Sequence, residues 1–174
     1  MPPPKHVIIY TDGACIGNPG PGGYGIVLLY AGHRRELSGG FRLTTNNRME
    51  LLAVIKGLEA LKEPCQVTLF SDSLYVVRGM REGWAIRWRA NGWRLKTKQP
   101  AVNQDLWQRL LDLCETHAVS FEWVRGHAGD IENERCDELA NEAARRDDLP
   151  PDEAYESLQL ATPPLRFQPD ESAS

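Results

Sequence analysis

The 174-residue chain reads as an α/β domain built on a mixed β-sheet. Three observations lead there. A β-branched and aromatic run, Val7-Ile8-Ile9-Tyr10, is followed by two further strand-like segments separated by turn signals. Beyond Thr44 the apolar spacing switches to that of a helix. Strands and helices then alternate, with a parallel pairing as the simplest way to join them.

Val7-Ile8-Ile9-Tyr10 lies between prolines and glycines and predicts a buried strand ending at Asp12. More than half of the residues from Gly13 to Gly25 are glycine or proline. That density predicts a sharply turning loop whose backbone N–H groups could approach an anion, or else a plain connection between hairpin strands. Tyr24–Tyr30 predicts a second strand, Ala31-Gly32-His33 a turn, and Arg35–Leu43 a third strand weakened by Gly39-Gly40. Thr44-Thr45-Asn46-Asn47 offers several helix caps, and Glu50 follows Asn47 by three as in a capping box. Leu51, Val54, Ile55, Leu58 and Leu61 then recur at helical spacing until Lys62-Glu63-Pro64. Taken alone, Glu50 is a helix-start carboxylate favoured by the macrodipole.

Gln66–Phe70 predicts a fourth strand, ending at Ser71-Asp72-Ser73. Asp72 reads either as the N-cap of the next helix or as a second acid at a strand's carboxyl end, beside Asp12. In the second case the two carboxylates repel unless a cation joins them. Residues 78–98 hold seven bases against one acid, interleaved with Trp84, Trp88 and Trp93. Cations for phosphates and aromatic faces for sugars or bases suit a nucleic-acid backbone, although some of these tryptophans must anchor the segment to the core. Asn91-Gly92 ends this helix. A further helix carries Leu106, Leu110 and Leu113, and Val119–Val124 is a fifth strand. His127 sits in the glycine-flanked loop Arg125–Gly129, and a last helix spans about Glu132 to Arg146 with Asp137 on it.

The net charge of −4 hides an asymmetry: residues 147–174 carry seven acids and one base, so the rest is net positive at +2. With its prolines, that terminal stretch predicts a flexible acidic tail over 148–174 that is dispensable for activity. Cys15, Cys65, Cys114 and Cys136 show neither CxxC pairing nor zinc-ligand spacing. No secretion signal and no apolar run of about 18 residues is present, which predicts a cytoplasmic protein with reduced thiols and no membrane partner.

Read together, Asp12-Gly13-Ala14-Cys15, the glycine-rich stretch, Thr45-Asn46-Asn47-Arg48-Met49-Glu50-Leu51, Ser71-Asp72-Ser73, the Trp-rich basic segment, Gly126-His127-Ala128-Gly129 and Glu132–Ala140 closely resemble the bacterial type 1 ribonuclease H family over roughly residues 5–146. The resemblance implies an RNase H-like fold, a five-stranded mixed sheet in the order 3-2-1-4-5 with helices on both faces. It implies a catalytic domain over 1–147 that hydrolyses the RNA strand of RNA/DNA hybrids, leaving 5′-phosphate and 3′-hydroxyl ends. Asp12, Glu50, Asp72 and Asp137 match the metal-binding carboxylates, for two Mg²⁺ with substrate and Mn²⁺ as an alternative. His127 matches a residue assisting proton transfer or product release. Cys15, Asn18, Asn46 and Asn47 match RNA-strand contacts; Thr45 and Asn103 match a DNA-phosphate site, and Trp84, Arg87, Trp88 and Arg89 match the handle that grips the DNA strand. The partner implied is a hybrid duplex bound by a monomer. Leu74 stands where some relatives carry glutamine. Two other readings stay open at this stage: a hybrid-binding module without catalysis, and another nuclease of the same fold.

Overall fold

A computed structural model describes residues 3–161 other than 98, 99 and 127. One five-stranded sheet runs in the order β3-β2-β1-β4-β5, as the resemblance implies, with β1 Lys5–Cys15, β2 Gly20–Tyr30, β3 His33–Thr44, β4 Cys65–Ser71 and β5 Ala118–Trp123. The first three strands form the antiparallel meander. β4 lies parallel to β1 from Lys5↔Cys65 to Thr11↔Ser71, and β5 lies parallel to β4.

Period-2 alternation divides this sheet between two helical layers. Val7, Ile9, Ile26 and Leu28 face α1 (Asn46–Glu59), whose Met49, Leu52, Ile55 and Leu58 are fully buried with them. Val27, with Tyr10 and Leu29 around it, faces Cys136 and Leu139 of α5 (Ile131–Ala144) on the other side. The basic segment is two short helices, α2 (Leu74–Arg81) and α3 (Trp84–Ala90), broken at Gly83, whose φ of 74° is left-handed. α4 (Gln104–Thr116) packs against α1 and buries Trp107.

The glycine-rich stretch departs from the expected loop. β1 continues to Cys15 and β2 starts at Gly20, so only residues 16–19 make the turn. The glycines instead let helices approach the strands closely. A Cβ at Gly13 would lie 2.5 Å from Glu50 N; at Gly23 and Gly25 it would lie 2.2 Å from the carbonyl oxygens of Ala140 and Cys136. Those are backbone atoms of α1 and α5, which could not withdraw without moving the helices.

The terminal stretch is a second correction. Residues 150–161 are docked, and α6 (Glu153–Ala161) follows Asp152, which is 3% exposed. Arg42 N donates to Pro150 O at 2.9 Å, and the Arg42 guanidinium binds Glu156. The anchor is Arg48 on α1, itself 2% exposed. Its guanidinium forks onto Asp152 (Nε to Oδ2, 2.8 Å; Nη2 to Oδ1, 3.1 Å) and onto Asp105 (2.8 and 2.7 Å), and it donates to Asn103 Oδ1 at 3.3 Å. Thr44 Oγ1 donates to Asp152 as well, at 2.7 Å. The acids that suggest disorder include one of the two carboxylates that bind this buried cation. The expectation of flexibility for 162–174 falls outside the described residues.

Removing one member of a buried ion network strands the remaining charges, at a cost of roughly 3–5 kcal/mol. Arg48→Met is therefore expected to lower unfolding stability by about that amount in urea titrations, with partial recovery on adding Asp152→Asn.

Candidate metal centre and nucleic-acid groove

Asp12 and Asp72 each follow the last paired residues of two parallel neighbours, Thr11 and Ser71. Both therefore emerge side by side where the parallel part of the sheet ends. Asp12 takes the alternation position after Tyr10, toward α5, and Asp137 on α5 lies close enough to hydrogen-bond with it and raise its pKa. Glu50 comes from the second turn of α1, across the opening left by the missing Cβ of Gly13. Carboxylate oxygens of Asp12, Glu50 and Asp72 all lie within 4.8 Å of one another. The structure thus brings all four sequence-indicated carboxylates to one corner.

Neither competing role holds for Glu50 or Asp72. The N-cap of α1 is Thr45, whose Oγ1 accepts from Arg48 N at 3.2 Å, so the capping box on Asn47 does not form. The N-cap of α2 is Ser73, accepting from Val76 N at 3.3 Å. Both carboxylates are therefore turned to the cluster by neighbours that do the capping.

The electrostatics of this corner are unfavourable in the absence of a cation. Burial, then the charges of Asp72 and Asp137, push the Asp12 carboxyl up to about 8 from its usual 3.8. Burial first, and the Asp12 and Asp72 charges next, push Glu50 well above the ordinary range. Glu50 Oε2 is buried without a hydrogen-bond partner, as is Asn133 Oδ1 one turn before Asp137 on α5. Buried oxygens are normally satisfied, so an orphaned carboxylate oxygen among three acids fits the place of a ligand to a cation. The donor set is all oxygen, which suits a hard divalent ion such as Mg²⁺. Asn141 Nδ2 donates to Asp137 Oδ1 at 3.1 Å and fixes its orientation.

His127 lies outside the described residues. Its neighbour Gly126 is informative, because a Cβ there would stand 2.8 Å from Asp72 Oδ2. Gly126 thus lies directly against Asp72 of the cluster. Trp123 Nε1 donates to Asp72 O at 3.2 Å and ties β5 to the same corner.

Cys15, Asn18, Asn46 and Asn47 gather around the β1–β2 turn and the start of α1. Asn18 Oδ1 accepts from Asn46 N at 3.1 Å, while Cys15 Sγ lies 2.9 Å from Gly17 O. Burial raises the pKa of this thiol, keeping it a neutral donor. Thr45 and Asn103 line one groove of about 850 Å³. Asn103 adopts a left-handed φ of 63°, and its side chain is engaged by Arg48 and by Tyr75 Oη, at 3.3 and 3.2 Å.

In the handle, Trp84 and Trp88 lie 6.3 Å apart on one helix face. Trp88 packs edge-on against Trp107 at 5.7 Å, so it serves as an anchor, the role expected of at least one tryptophan. Trp84 remains half-exposed with the Arg78 guanidinium 5.2 Å above its ring. Arg87 is exposed and donates to Glu82 O, whereas Arg89 sits 3.3 Å from Glu115. Arg48 and Tyr75 hold places at the site that the sequence alone does not assign. Arg48 stands within the Asn-Arg-Met-Glu motif, but Tyr75 carries no signal at all.

A family model described as RNase H matches residues 4–145. The ribonuclease H of Syntrophus aciditrophicus is 66% identical over 153 residues, covering 88% of each chain. That of Rippkaea orientalis is 60% identical over 159 residues, covering 91% of this chain and 98% of its own. Among solved structures, LC9-RNase H1, a type 1 RNase H with the type 2 active-site motif, matches with a TM-score of 0.74 and 37% identity, over 83% of this chain and 74% of that one. LC11-RNase H1 in complex with an RNA/DNA hybrid matches with a TM-score of 0.62 and 30% identity, over 79% of this chain and 96% of that one. Four converging carboxylates on the 3-2-1-4-5 sheet and a family match across most of its length lead to one assignment: the chain belongs to the ribonuclease H family.

Proposed function

We propose that this chain is an endoribonuclease that hydrolyses the RNA strand of RNA/DNA hybrids, leaving 5′-phosphate and 3′-hydroxyl ends. The observation that carries the proposal is the buried, unpartnered Glu50 Oε2 inside a cluster of acids drawn from β1, α1 and the end of β4. Asp12, Glu50, Asp72 and Asp137 would hold two Mg²⁺ ions, with Mn²⁺ as an alternative. Bound there, the ions would activate the attacking water and stabilise the leaving 3′ oxygen in an in-line displacement.

The protein's own residues do the rest. Glu50 and Asp137 approach Asp12 from opposite helical layers and fix where the scissile phosphate must lie. His127, the residue after Gly126 in the sequence, assists the proton transfer or product release. Cys15, Asn18, Asn46 and Asn47 present a thiol and amide groups suited to sensing 2′-hydroxyls on the RNA strand. Thr45 keeps its hydroxyl proton available for a DNA phosphate, because its oxygen accepts from Arg48 N. Asn103 would contribute through its backbone, since its side chain is already engaged. Trp84, Arg87, Trp88 and Arg89 grip the DNA strand further along. None of these groups reads base identity, so cleavage is expected to be independent of sequence. The catalytic residues fall within 1–147, the unit proposed for catalysis, onto which 150–161 dock through Asp152, and the chain acts as a monomer in the cytoplasm; among the described residues no helix is long and apolar enough to cross a membrane.

Incubation with a labelled RNA/DNA hybrid, and with the matching RNA and DNA duplexes, tests this directly. RNA of the hybrid alone should be cut, and only with Mg²⁺ present; cutting in excess chelator overturns the metal role. Asp12→Asn should abolish cleavage while stabilising the metal-free protein. The sign follows from the raised pKa of Asp12. Folded protein retains a proton up to about pH 8, whereas an unfolded aspartate loses it near 3.8, so this contribution to stability is present below that value and lost as pH rises through 8. The gain in melting temperature from Asp12→Asn in chelator should therefore grow between pH 5 and pH 8. A gain that shrinks over that range contradicts the clustered-charge account. In the handle, Arg87→Ala with Arg89→Ala should weaken hybrid binding and flatten its salt dependence, by up to about 0.9 in log–log slope for each phosphate no longer neutralised. An unchanged slope would mean that these arginines do not meet phosphate.

A further inference from the structure

The groove that holds Thr45 and Asn103 has a second wall that the proposed function leaves without a role. Tyr155, Leu158 and Gln159 of α6 line it opposite those two residues, with Val102 at its edge. These positions, with Ala154, follow an i, i+1, i+4, i+5 pattern and form one helix face. That face is uncharged although the segment is acidic. Glu156 is bound by Arg42 through hydrogen bonds of 2.9 to 3.3 Å, and Glu153 is not in the groove lining. An acidic helix beside a nucleic-acid site would repel a phosphate backbone, and this one presents no acid to the groove.

The wall is also held in register with the opposite side. Asp152, which accepts from Tyr155 N at the start of α6, is the partner of Arg48, and Arg48 N is the group Thr45 caps. The groove therefore has both sides fixed to one buried guanidinium. At its other end it is continuous with the handle: Ala101 N donates to Trp93 O at 2.8 Å, and Arg94 bridges to Pro100, which lines the groove. Asn18 and Asn47, assigned above to the RNA strand, share its lining, but none of the four carboxylates does, and the part walled by α6 and residues 100–103 is the part that runs on to the handle and the uncut strand.

We infer that α6 is a strand-binding wall: Tyr155, Leu158 and Gln159 contact the sugar-phosphate backbone of the uncut DNA strand beside the phosphate held at Thr45 and Asn103. This rests on the hybrid-cleavage reading above. Leu158, 55% exposed, offers an apolar surface to a deoxyribose, and Gln159 an amide donor to a phosphate oxygen.

Charge placed on this exposed face should act on binding with opposite signs. In the full-length chain carrying Asp12→Asn, fluorescence anisotropy with a labelled RNA/DNA hybrid reads binding apart from cleavage. Gln159→Lys is expected to tighten Kd and steepen its log–log salt slope by about 0.9, the value for one further phosphate neutralised. Leu158→Asp is expected to weaken Kd severalfold at low salt. The gain from Gln159→Lys should vanish when the DNA strand carries uncharged methylphosphonates. Melting curves confirm that each variant is folded. Folded variants with the parent's Kd and salt slope overturn the assignment of α6 while leaving hybrid cleavage standing. A gain that survives methylphosphonate substitution also overturns it, since the lysine would then meet something other than the DNA backbone. Failure of the Asp12→Asn parent to bind the hybrid, together with failure of the unsubstituted chain to cut it, sinks the functional reading itself.

Discussion

Everything in this molecule depends on how closely two helices can approach the middle of the sheet. Gly13 admits the backbone of α1, and Gly23 and Gly25 admit that of α5, at distances where any side chain would collide with main chain. Only with both helices seated so near do Glu50 and Asp137 reach Asp12 from the two opposite layers. Alternation along β1 places Asp12 toward one layer while the adjacent Gly13 opens toward the other. A pair of neighbouring residues thus supplies both a ligand and the gap through which a second ligand enters.

The cluster formed this way opposes folding unless something positive joins it. Burial and mutual repulsion drive Asp12 and Glu50 toward their protonated forms, and one oxygen of Glu50 has no partner. The Arg48 network shows the contrasting arrangement. There a buried cation is matched on both sides by carboxylates and further engaged by Asn103, so its charge is compensated by the protein alone. Two buried charged groups therefore sit on the same helix, two residues apart, one satisfied internally and the other built for an external ion.

Much of this was legible in the sequence, but unevenly. Apolar periodicity located the meander and the long helices, because burial imposes it directly. The strand-end acids Asp12 and Asp72 could be marked from patterning, whereas Glu50 and Asp137 needed the family resemblance, since a carboxylate in a helix is ordinarily solvated. The glycines were read as a turn because a single sequence does not distinguish left-handed backbone from close approach; most of them here are extended strand. Sequence leaves the caps open among several suitable oxygens, and Thr45 and Ser73 take them rather than Asn47 and Asp72. The acidic terminal segment misled for a different reason. Composition averages over its charges, whereas the fold of 150–161 rests on particular pairs, above all Asp152 with Arg48, 104 residues away in the chain.

That long separation has a consequence during synthesis. All four carboxylates lie before residue 138, so the elements of the metal centre have been made while α6 has not. A nascent chain at that stage contains Arg48 and Asp105 but not Asp152, and it lacks the residues of α6 that line the groove. The groove is finished only when residues 150–161 have been translated and docked. The same guanidinium that holds the folded groove together thus leaves its closure to a segment made after the metal centre.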